Sequence, residues 1–379
     1  MSSIINWMGG WPKEGLVSAA DWEERVEAAA AFAAEERKGG IGRSAGTGGS
    51  EKLREQLANG LLKGKTGGRA DRIRMTNGAD GALIWLAENV LKPGDTVLTD
   101  RLTSRSALQA FRKAGARAEA VDGDRKGMNP EALTTALFRF RPKLVYAAPG
   151  CTDPEGNVWS QERRDAVRER CREAGVLLAW DDRQEALLYE PSEPALPDRR
   201  LEPGVLSIGQ LPPGLIAGLR IGWIAGAADA LQAQSEASFY RSRQGIRADD
   251  IEQQALSSLI DEQPLEPLFD MLRAQCRERK RRMTEQLARQ GIEDLVWTEP
   301  RGGLHLWVTL PSGLDGEALL RGAWLKGVIF QPGAPFYVSH PRGNTARITH
   351  AFADERQIKL GVARLAESIG EFTGRWSRS

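Results

Sequence analysis

Between residues 72 and 225, short apolar runs alternate with longer segments whose apolar residues recur at helical spacing. The strand-like runs are RIRMT, DTVLTD, ARAEAV, KLVYAAP, VLLAWDD, VLSIG and RIGWIAG. Short, largely apolar strands separated by amphipathic helices are typical of a parallel sheet that is buried on both faces. The pattern therefore predicts an α/β fold with a mostly parallel central sheet and helices on both of its faces.

After residue 227 the helical segments lengthen, and the strand-like segments LHLWVTL, GVIFQPG and ARITHAF follow late in the chain. This order indicates a second, smaller α+β unit. A chain of 379 residues is also long for a single core. We predict a large domain over residues 45–262 and a small domain formed by residues 1–44 and 263–379.

Charge and cysteine content narrow the class of protein. The 52 basic and 51 acidic residues nearly cancel, so no overall field favours nucleic acid or an anionic membrane. The three cysteines form no CxxC pair, which favours a reducing compartment. Neither a signal peptide nor a membrane-length apolar run is present in the sequence. We predict a cytoplasmic protein that binds neither membranes nor nucleic acid.

Two segments match known binding motifs in their letters but not in their context, and the histidines match no metal-binding pattern. GIGRSA matches a dinucleotide-binding fingerprint but follows a helical segment, and GLLKGKT is one residue short of a phosphate loop. The histidines have no partners at the spacing of metal ligands, so no metal site is predicted. The histidines are His305, His340 and His350.

Nine segments, in order, resemble the landmarks of the class I/II aminotransferases, which are fold type I enzymes dependent on pyridoxal phosphate (PLP). They are GSEKLREQL, MTNGADGAL, KPGDTVLTD, LVYAAPGCTDPEGN, LLAWDD, GLRIGW, EPRGGLHLWVTLP, GVIFQPGAPF and ARITHAF. The likeness is closest to the aminotransferase-like domain of MocR-type regulators and spans nearly the whole chain. It implies the fold type I architecture and PLP as the cofactor.

The resemblance also implies a binding site for the cofactor phosphate. Backbone N–H groups at the start of a helix bind phosphate, and a nearby cation strengthens the binding. The residues that match the family's phosphate turn are Gly78, Ala79 and Asp80, and the matching cation is Arg220.

Two further charged residues match family positions. Asp181 resembles the aspartate that keeps the ring nitrogen of PLP protonated, which makes the ring an electron sink. Arg347 resembles the arginine whose forked guanidinium binds the substrate carboxylate. The alternative roles are ordinary ones: a helix cap or ion pair for Asp181, and an ion pair for Arg220 or Arg347.

The reactive lysine of the family has no counterpart in this sequence. Counting back from Gly218 places its position at Pro213, and proline has no amine for a Schiff base. A shift of the alignment does not help, because no lysine occurs between Lys143 and Lys280. We therefore predict no catalytic residue at this position.

Four more departures concern the surroundings of the cofactor ring. Arg183 stands where the family has a tyrosine that binds the ring hydroxyl, and Asp153 stands where it has an asparagine. Thr103 matches the position of the aromatic residue that stacks on the ring. Ser44 matches the tyrosine that reaches the phosphate from the partner subunit. All of these departures, with Pro213, affect one small volume.

We therefore predict an aminotransferase-like protein that no longer transaminates and acts as a ligand-binding or partner subunit. One alternative is an enzyme that holds PLP or its pyridoxamine form without a covalent link, or runs other amino-acid-related chemistry. Losing the lysine removes both the covalent anchor and the usual proton shuttle, which disfavours transamination. Another is a conventional aminotransferase whose lysine the alignment misplaces.

The resemblance implies a homodimer and leaves room for a small anionic or amino-acid-like ligand. The segment IINWMGGWPKEGL resembles the start of an aminotransferase rather than a winged-helix domain, so we expect no direct DNA binding. We also considered that tryptophans fill the volume left by the cofactor ring, although core packing is the simpler explanation. Those tryptophans are Trp7, Trp11, Trp180 and Trp223.

Overall fold

The computed structural model describes residues 4–9, 12, 14–38, 48–190, 201–228, 231 and 249–376. The α-helices in these ranges are Ala19–Lys38 (α1), Glu51–Asn59 (α2), Lys63–Thr66 (α3), Gly78–Val90 (α4), Arg105–Lys113 (α5), Pro130–Phe140 (α6), Gln161–Ala174 (α7), Asp250–Glu262 (α8), Glu266–Arg289 (α9), Gly316–Leu325 (α10) and Glu355–Trp376 (α11). The strands are Ile5–Trp7 (β1), Ile73–Asn77 (β2), Thr96–Asp100 (β3), Arg117–Val121 (β4), Gly123–Asp124 (β5), Gly127–Met128 (β6), Leu144–Ala147 (β7), Leu177–Asp181 (β8), Val205–Gln210 (β9), Ile221–Ala225 (β10), Val296–Trp297 (β11), His305–Thr309 (β12), Val328–Pro332 (β13) and Thr345–Thr349 (β14). None of the described helices combines the length and the apolarity needed to cross a bilayer.

Seven strands form the large sheet, in the order β2-β10-β9-β8-β7-β3-β4. The strands from β9 to β4 pair in parallel, whereas β10 runs antiparallel to both of its neighbours. Successive side chains of a strand point to opposite faces. In β7, Tyr146 packs in the core with α4 and α5, and Val145 packs in the core on the other face. The predicted mostly parallel sheet, covered on both faces, is confirmed.

Five strands form the smaller sheet, in the order β1-β13-β14-β12-β11. Its core includes Met283 and Leu287 from the end of α9, together with one face of α11. Trp7 of β1 is fully buried in this core, against Gly361 of α11. The N-terminal strand and the C-terminal third of the chain therefore share one core.

Helix α1 packs elsewhere, although it lies in the predicted small domain. It contacts α8, and its Trp22 and Ala29 belong to the core of the large sheet. Helix α1 packs there because its apolar side, which includes Trp22 and Ala29, is covered by the large unit. The predicted boundaries themselves, 45–262 against 1–44 and 263–379, stay a prediction.

The carboxyl ends of β7, β8 and β9 meet at one edge of the large sheet, beside the start of α4. In open α/β sheets, ligands bind in the crevice outside the carboxyl ends of the strands. Helix α4 begins without a side-chain cap, because Asn77 makes no capping hydrogen bond. The first N–H groups of α4 are therefore available to other partners.

Candidate functional site

The turn that opens α4 has a backbone that only glycine adopts easily. Gly78 has a φ of +63°, in the left-handed region, and its carbonyl accepts a hydrogen bond of 2.8 Å from Thr76 Oγ1. On the next strand, a Cβ atom at Gly222 would lie 2.4 Å from the carbonyl carbon of Gly78. The two glycines let β10 approach the turn closely.

Gln210, the last residue of β9, contacts this turn. Its Oε1 accepts a hydrogen bond of 3.1 Å from the backbone N–H of Ala79. Arg220, just before β10, is also nearby, with its Cβ 4.0 Å from the position of a Cβ on Gly78. The carboxylate of Asp80 lies in the first turn of α4, where the helix dipole favours a negative charge. The predicted phosphate-binding residues are thus together in space.

Asp181 ends β8 and is almost fully buried. Arg183 binds it through Nε, 2.9 Å from each carboxylate oxygen, and through Nη2, 2.6 Å from Oδ2. The backbone N–H of Arg183 donates to Oδ1 at 3.2 Å, and the Tyr146 hydroxyl donates to Oδ2. Four donors therefore bind a carboxylate that has about four lone-pair sites.

Burial and charge act together on the partners of Asp181. Burial lowers the pKa of the Arg183 guanidinium, but the charges of Asp181, Tyr146 and Asp80 and the hydrogen bond with Asp181 together outweigh burial and hold this pKa well above its ordinary value. Burial, followed by the Asp181 charge, raises the pKa of Tyr146 well above 10. Arg183 is thus a permanent cation here, and Tyr146 a permanent donor. Arg183 Nη1 also lies 3.4 Å from Asp80 Oδ1 and 3.2 Å from Ser106 Oγ.

Arg347 and Asp153 form the second ion pair of the site. Arg347 Nη1 lies 2.6 Å from Asp153 Oδ1, with side chains only 11% and 13% exposed. The guanidinium also stacks over the Phe336 ring, 4.7 Å from its centroid. Arg347 belongs to β14 of the small sheet, whereas Asp153 follows β7 of the large sheet. The pair therefore connects the two sheets.

The space between these groups is very small. Asp181, Arg183 and Asp153 line a cavity of about 10 Å³, together with the buried Thr103. That volume is close to the minimum for one water molecule. The hydroxyl of Thr103 lies 2.6 Å from Thr99 Oγ1, so it is already hydrogen-bonded. No tryptophan is among the described residues that line this cavity. Trp7 packs in the core of the small sheet, and Trp180 and Trp223 pack in or against the core of the large sheet, as the simpler explanation expects.

Pro213 lies apart from the turn, in the loop after β9. This loop binds the N-terminal segment, with the N–H groups of Leu16 and Val17 donating to the carbonyls of Gly214 and Leu215. The side chain of β9 that reaches the turn is Gln210, three positions earlier. Counting back five positions from Gly218 reaches Pro213 in the loop between β9 and β10 and stops short of Gln210.

Lys65 is another residue that the sequence did not single out. Its Nζ lies 2.7 Å from Asp182 Oδ2 and 2.6 Å from Glu185 Oε2. Burial lowers the pKa of Lys65, but the charges and hydrogen bonds of Asp182 and Glu185 together raise it by more. The pKa therefore lies well above the ordinary value for lysine. A lysine that stays protonated is a poor nucleophile. Its two carboxylate partners make Lys65 a structural cation.

Asp100 was also missed, although a carboxylate directly after a buried strand is a recognisable signal. It ends β3 and lines the small cavity. Burial, followed by the nearby Glu155 charge, raises the pKa of Asp100 to about 8. Tyr146 lies inside the apolar strand β7, where nothing in the sequence indicates its hydrogen bond to Asp181. Of the predicted positions, Ser44 and Trp11 lie outside the described residues.

Comparison with known proteins identifies the family. The profile of aminotransferase class I and II matches residues 18–365. The chain belongs to the aminotransferase class I and II family. This family depends on PLP, as the resemblance implied. A 2-aminoadipate transaminase of Thermus thermophilus is 30% identical over 372 residues, which cover 97% of this chain and 90% of the relative.

Other members of the aminotransferase class I and II family extend the comparison. The solved structure of LysN, an alpha-aminoadipate aminotransferase of Thermus thermophilus complexed with N-(5'-phosphopyridoxyl)-L-leucine, has a TM-score of 0.84 and 27% identity. The match covers 98% of this chain and 94% of LysN. An HTH-type transcriptional regulator of Bacillus subtilis is 24% identical over 84% of this chain and 65% of its own length. The relatives thus include both enzymes and regulators.

The described residues do not fit PLP in the way that the family resemblance implies. Asp181 has no lone pair left for a ring nitrogen, and a cavity of about 10 Å³ does not hold a pyridine ring. The residue at the end of β9 is a glutamine. We therefore derive no reaction step through PLP.

Proposed function

We propose that this aminotransferase class I/II protein does not transaminate and acts as a ligand-binding or partner subunit. The observation that carries the proposal is Gln210. It occupies the position at the end of β9, beside Asp181's strand and against the turn of Ala79, where a Schiff-base lysine would have to reach the cofactor. An amide has no nucleophilic amine and cannot form an imine.

Further support comes from the lysines of the chain. The sequence has none between Lys143 and Lys280, so no change of alignment over β8, β9 and β10 provides one. Lys65 approaches this edge of the sheet but is held as a cation by Asp182 and Glu185. On this reading the lysine position is Gln210 rather than Pro213, and neither residue has an amine.

The alternative of an enzyme that holds PLP or pyridoxamine phosphate non-covalently needs a free Asp181. The carboxylate must meet the ring nitrogen to keep it protonated and electron-withdrawing. Arg183 and Tyr146 already bind both oxygens of Asp181. This contact favours the non-catalytic proposal over the alternative.

The first test is the near-ultraviolet and visible absorbance of the purified protein, before and after PLP addition and desalting. We expect no retained aldimine band, and no stoichiometric lysine adduct after borohydride reduction. The Thermus thermophilus 2-aminoadipate transaminase is the matched positive control. A band that survives desalting and disappears with borohydride would overturn the proposal.

The second test asks which position faces the cofactor site. The variants Gln210→Lys and Pro213→Lys are made in an Arg183→Tyr background, which frees Asp181. We expect an aldimine band with PLP only in the Gln210→Lys protein, because only that side chain contacts the turn of Ala79. A band only in the Pro213→Lys protein would restore the position predicted by counting from Gly218.

The proposed subunit role includes self-association as a homodimer. The family resemblance supports this expectation, which light scattering of the purified full-length chain measures directly. A monomer over the whole concentration range would remove the homodimer from the proposal and leave the ligand-binding role. Cytoplasmic location is likewise our expectation, and fractionation of cells producing the protein tests it.

A further inference from the structure

We propose that the chain fills its own cofactor and substrate anchors, which closes the cleft to PLP and to small carboxylates. The Arg183 guanidinium takes the position of a cofactor ring nitrogen at Asp181, and the Asp153 carboxylate takes that of a substrate at Arg347. The inference rests on the proposed function and adds that a ligand of this protein binds outside this cleft.

The first replacement is a cation for a cation. A protonated ring nitrogen would present one N–H donor and one positive charge to Asp181. Arg183 presents the same charge with two side-chain N–H groups at 2.6 to 2.9 Å. Arg183 follows Asp181 by only two positions in the chain. A free ligand must therefore displace a donor that is covalently tethered and cannot diffuse away.

The second replacement is a carboxylate for a carboxylate. Arg347 holds Asp153 Oδ1 at 2.6 Å, a distance typical of a strong charge-assisted hydrogen bond. Both side chains are nearly buried, so water screens the pair weakly. Asp153 contacts the guanidinium through Nη1, so an amino acid or dicarboxylate that binds the fork through Nη1 would have to break this pair and leave Asp153 uncompensated. The same pair fastens the small sheet to the large sheet without a ligand.

The phosphate turn shows a third replacement of the same kind. Gln210 Oε1 occupies the N–H of Ala79, at 3.1 Å, and Asp80 adds a carboxylate to the same helix start. A phosphate would meet an occupied donor and a like charge there. Each anchor therefore has a partner supplied by the chain, and the cavity beside Asp181 and Asp153 measures only about 10 Å³.

The test uses two probes that separate the two anchors. Pyridoxamine 5'-phosphate has the ring and phosphate but no aldehyde, so it does not label surface lysines. Succinate presents carboxylates alone. For the wild-type full chain we expect no saturable calorimetric binding of either probe and no change in melting temperature.

Two variants open the anchors one at a time. We expect Arg183→Tyr to bind pyridoxamine phosphate at least about tenfold more tightly than the wild type, with little change for succinate. We expect Asp153→Asn to show the opposite selectivity. The matched control is Arg168→Tyr, which breaks a surface arginine–aspartate pair outside the cleft and should gain neither ligand.

The outcomes are distinct. Saturable binding of either probe by the wild-type protein would overturn the inference, and this measurement needs no variant. Arg183→Gln replaces Arg183→Tyr if that variant fails to fold. Gain of both ligands by Arg168→Tyr would also overturn it, since the effect would then not depend on the anchors. A borohydride-reducible lysine adduct with PLP, in contrast, would overturn the proposed function.

Discussion

Asp153 and Arg347 are 194 positions apart in the sequence, yet their side chains meet at 2.6 Å across the cleft. Asp153 follows a strand of the large sheet, and Arg347 lies on a strand of the small one. The pair is almost excluded from water, with 11% and 13% of the side chains exposed. It therefore acts on both the stability of the molecule and the access of anions to Arg347.

The first prediction concerns the stability that this pair provides. Asp153→Ala leaves the Arg347 guanidinium nearly buried without its carboxylate, which should lower the free energy of unfolding by about 3 kcal/mol. Urea denaturation followed by circular dichroism measures the change. Asp165→Ala, which removes a surface ion pair with Arg168, is the control and should cost at most about 1 kcal/mol. Equal costs for the two variants would contradict the role of the pair.

The second prediction concerns pH. The pKa of Asp100 is raised to about 8 by burial, followed by the Glu155 charge, and Arg101 and Arg125 lie near Glu155. A raised carboxyl pKa means that the folded state holds the proton more tightly, so its contribution is complete below about pH 4 and is lost towards pH 8. The slope is at most about 1.4 kcal/mol per pH unit.

Urea midpoints measured at several values across this pH range test the effect. Asp100→Asn keeps the shape of the side chain but cannot ionise, so it should flatten the loss of stability with rising pH. An unchanged slope in the variant would show that Asp100 does not carry the dependence.

The third prediction concerns the close approach at Gly222. A methyl group there would lie 2.4 Å from the backbone of Gly78, which cannot move without disturbing the start of α4. We expect Gly222→Ala to lower the free energy of unfolding by at least about 1–3 kcal/mol. Gly64→Ala is the matched control, because nothing lies within 4 Å of its added methyl group. Thermal unfolding of both variants provides the comparison.

The fourth prediction concerns the buried cation Lys65. Lys65→Met removes a buried positive charge beside Asp182 and Glu185, while Ser207 Oγ still donates to Asp182 at 2.6 Å. We expect a loss of about 3–5 kcal/mol in the free energy of unfolding. Lys52→Met, at an exposed pair with Asp261, should cost under about 1 kcal/mol. A wild-type-like Lys65→Met protein would show that the cluster is not stabilising.

The fifth prediction concerns the thiols. All three cysteines are free and buried, and burial raises the pKa of Cys151 and Cys171 to about 12 and that of Cys276 to about 11. The thiolate is the reactive form, so alkylation of the native protein at neutral pH should be slow. The same reagent in urea should label all three rapidly. Rapid labelling of the native chain would indicate that these sites open.

The strands could be predicted because local patterns determine them, whereas the candidate site residues came from the family resemblance. Alternating short apolar runs and amphipathic helices require a sheet covered on both faces, and Asp181 ends its strand as the motif LLAWDD indicated. The turn of Gly78, Ala79 and Asp80 was implied by the family resemblance, and in the structure a glycine with positive φ starts α4. Helix α1 lies within the range predicted for the small domain but packs on the core of the large sheet, because its pattern shows that one side is apolar but not what covers it.

The contacts within the candidate site depended on which residues meet in the folded chain. Motif order placed Arg183 and Asp153 near the site, but only the folded chain shows that they pair with Asp181 and Arg347, and the second pair depends on the meeting of two sheets. The position of Gln210 depended on the length of a loop that no motif encodes. The sequence thus determined the helices and strands, because these follow from the period and composition of each segment. Tertiary packing alone determined which charges meet, because burial brings together residues that the chain keeps far apart.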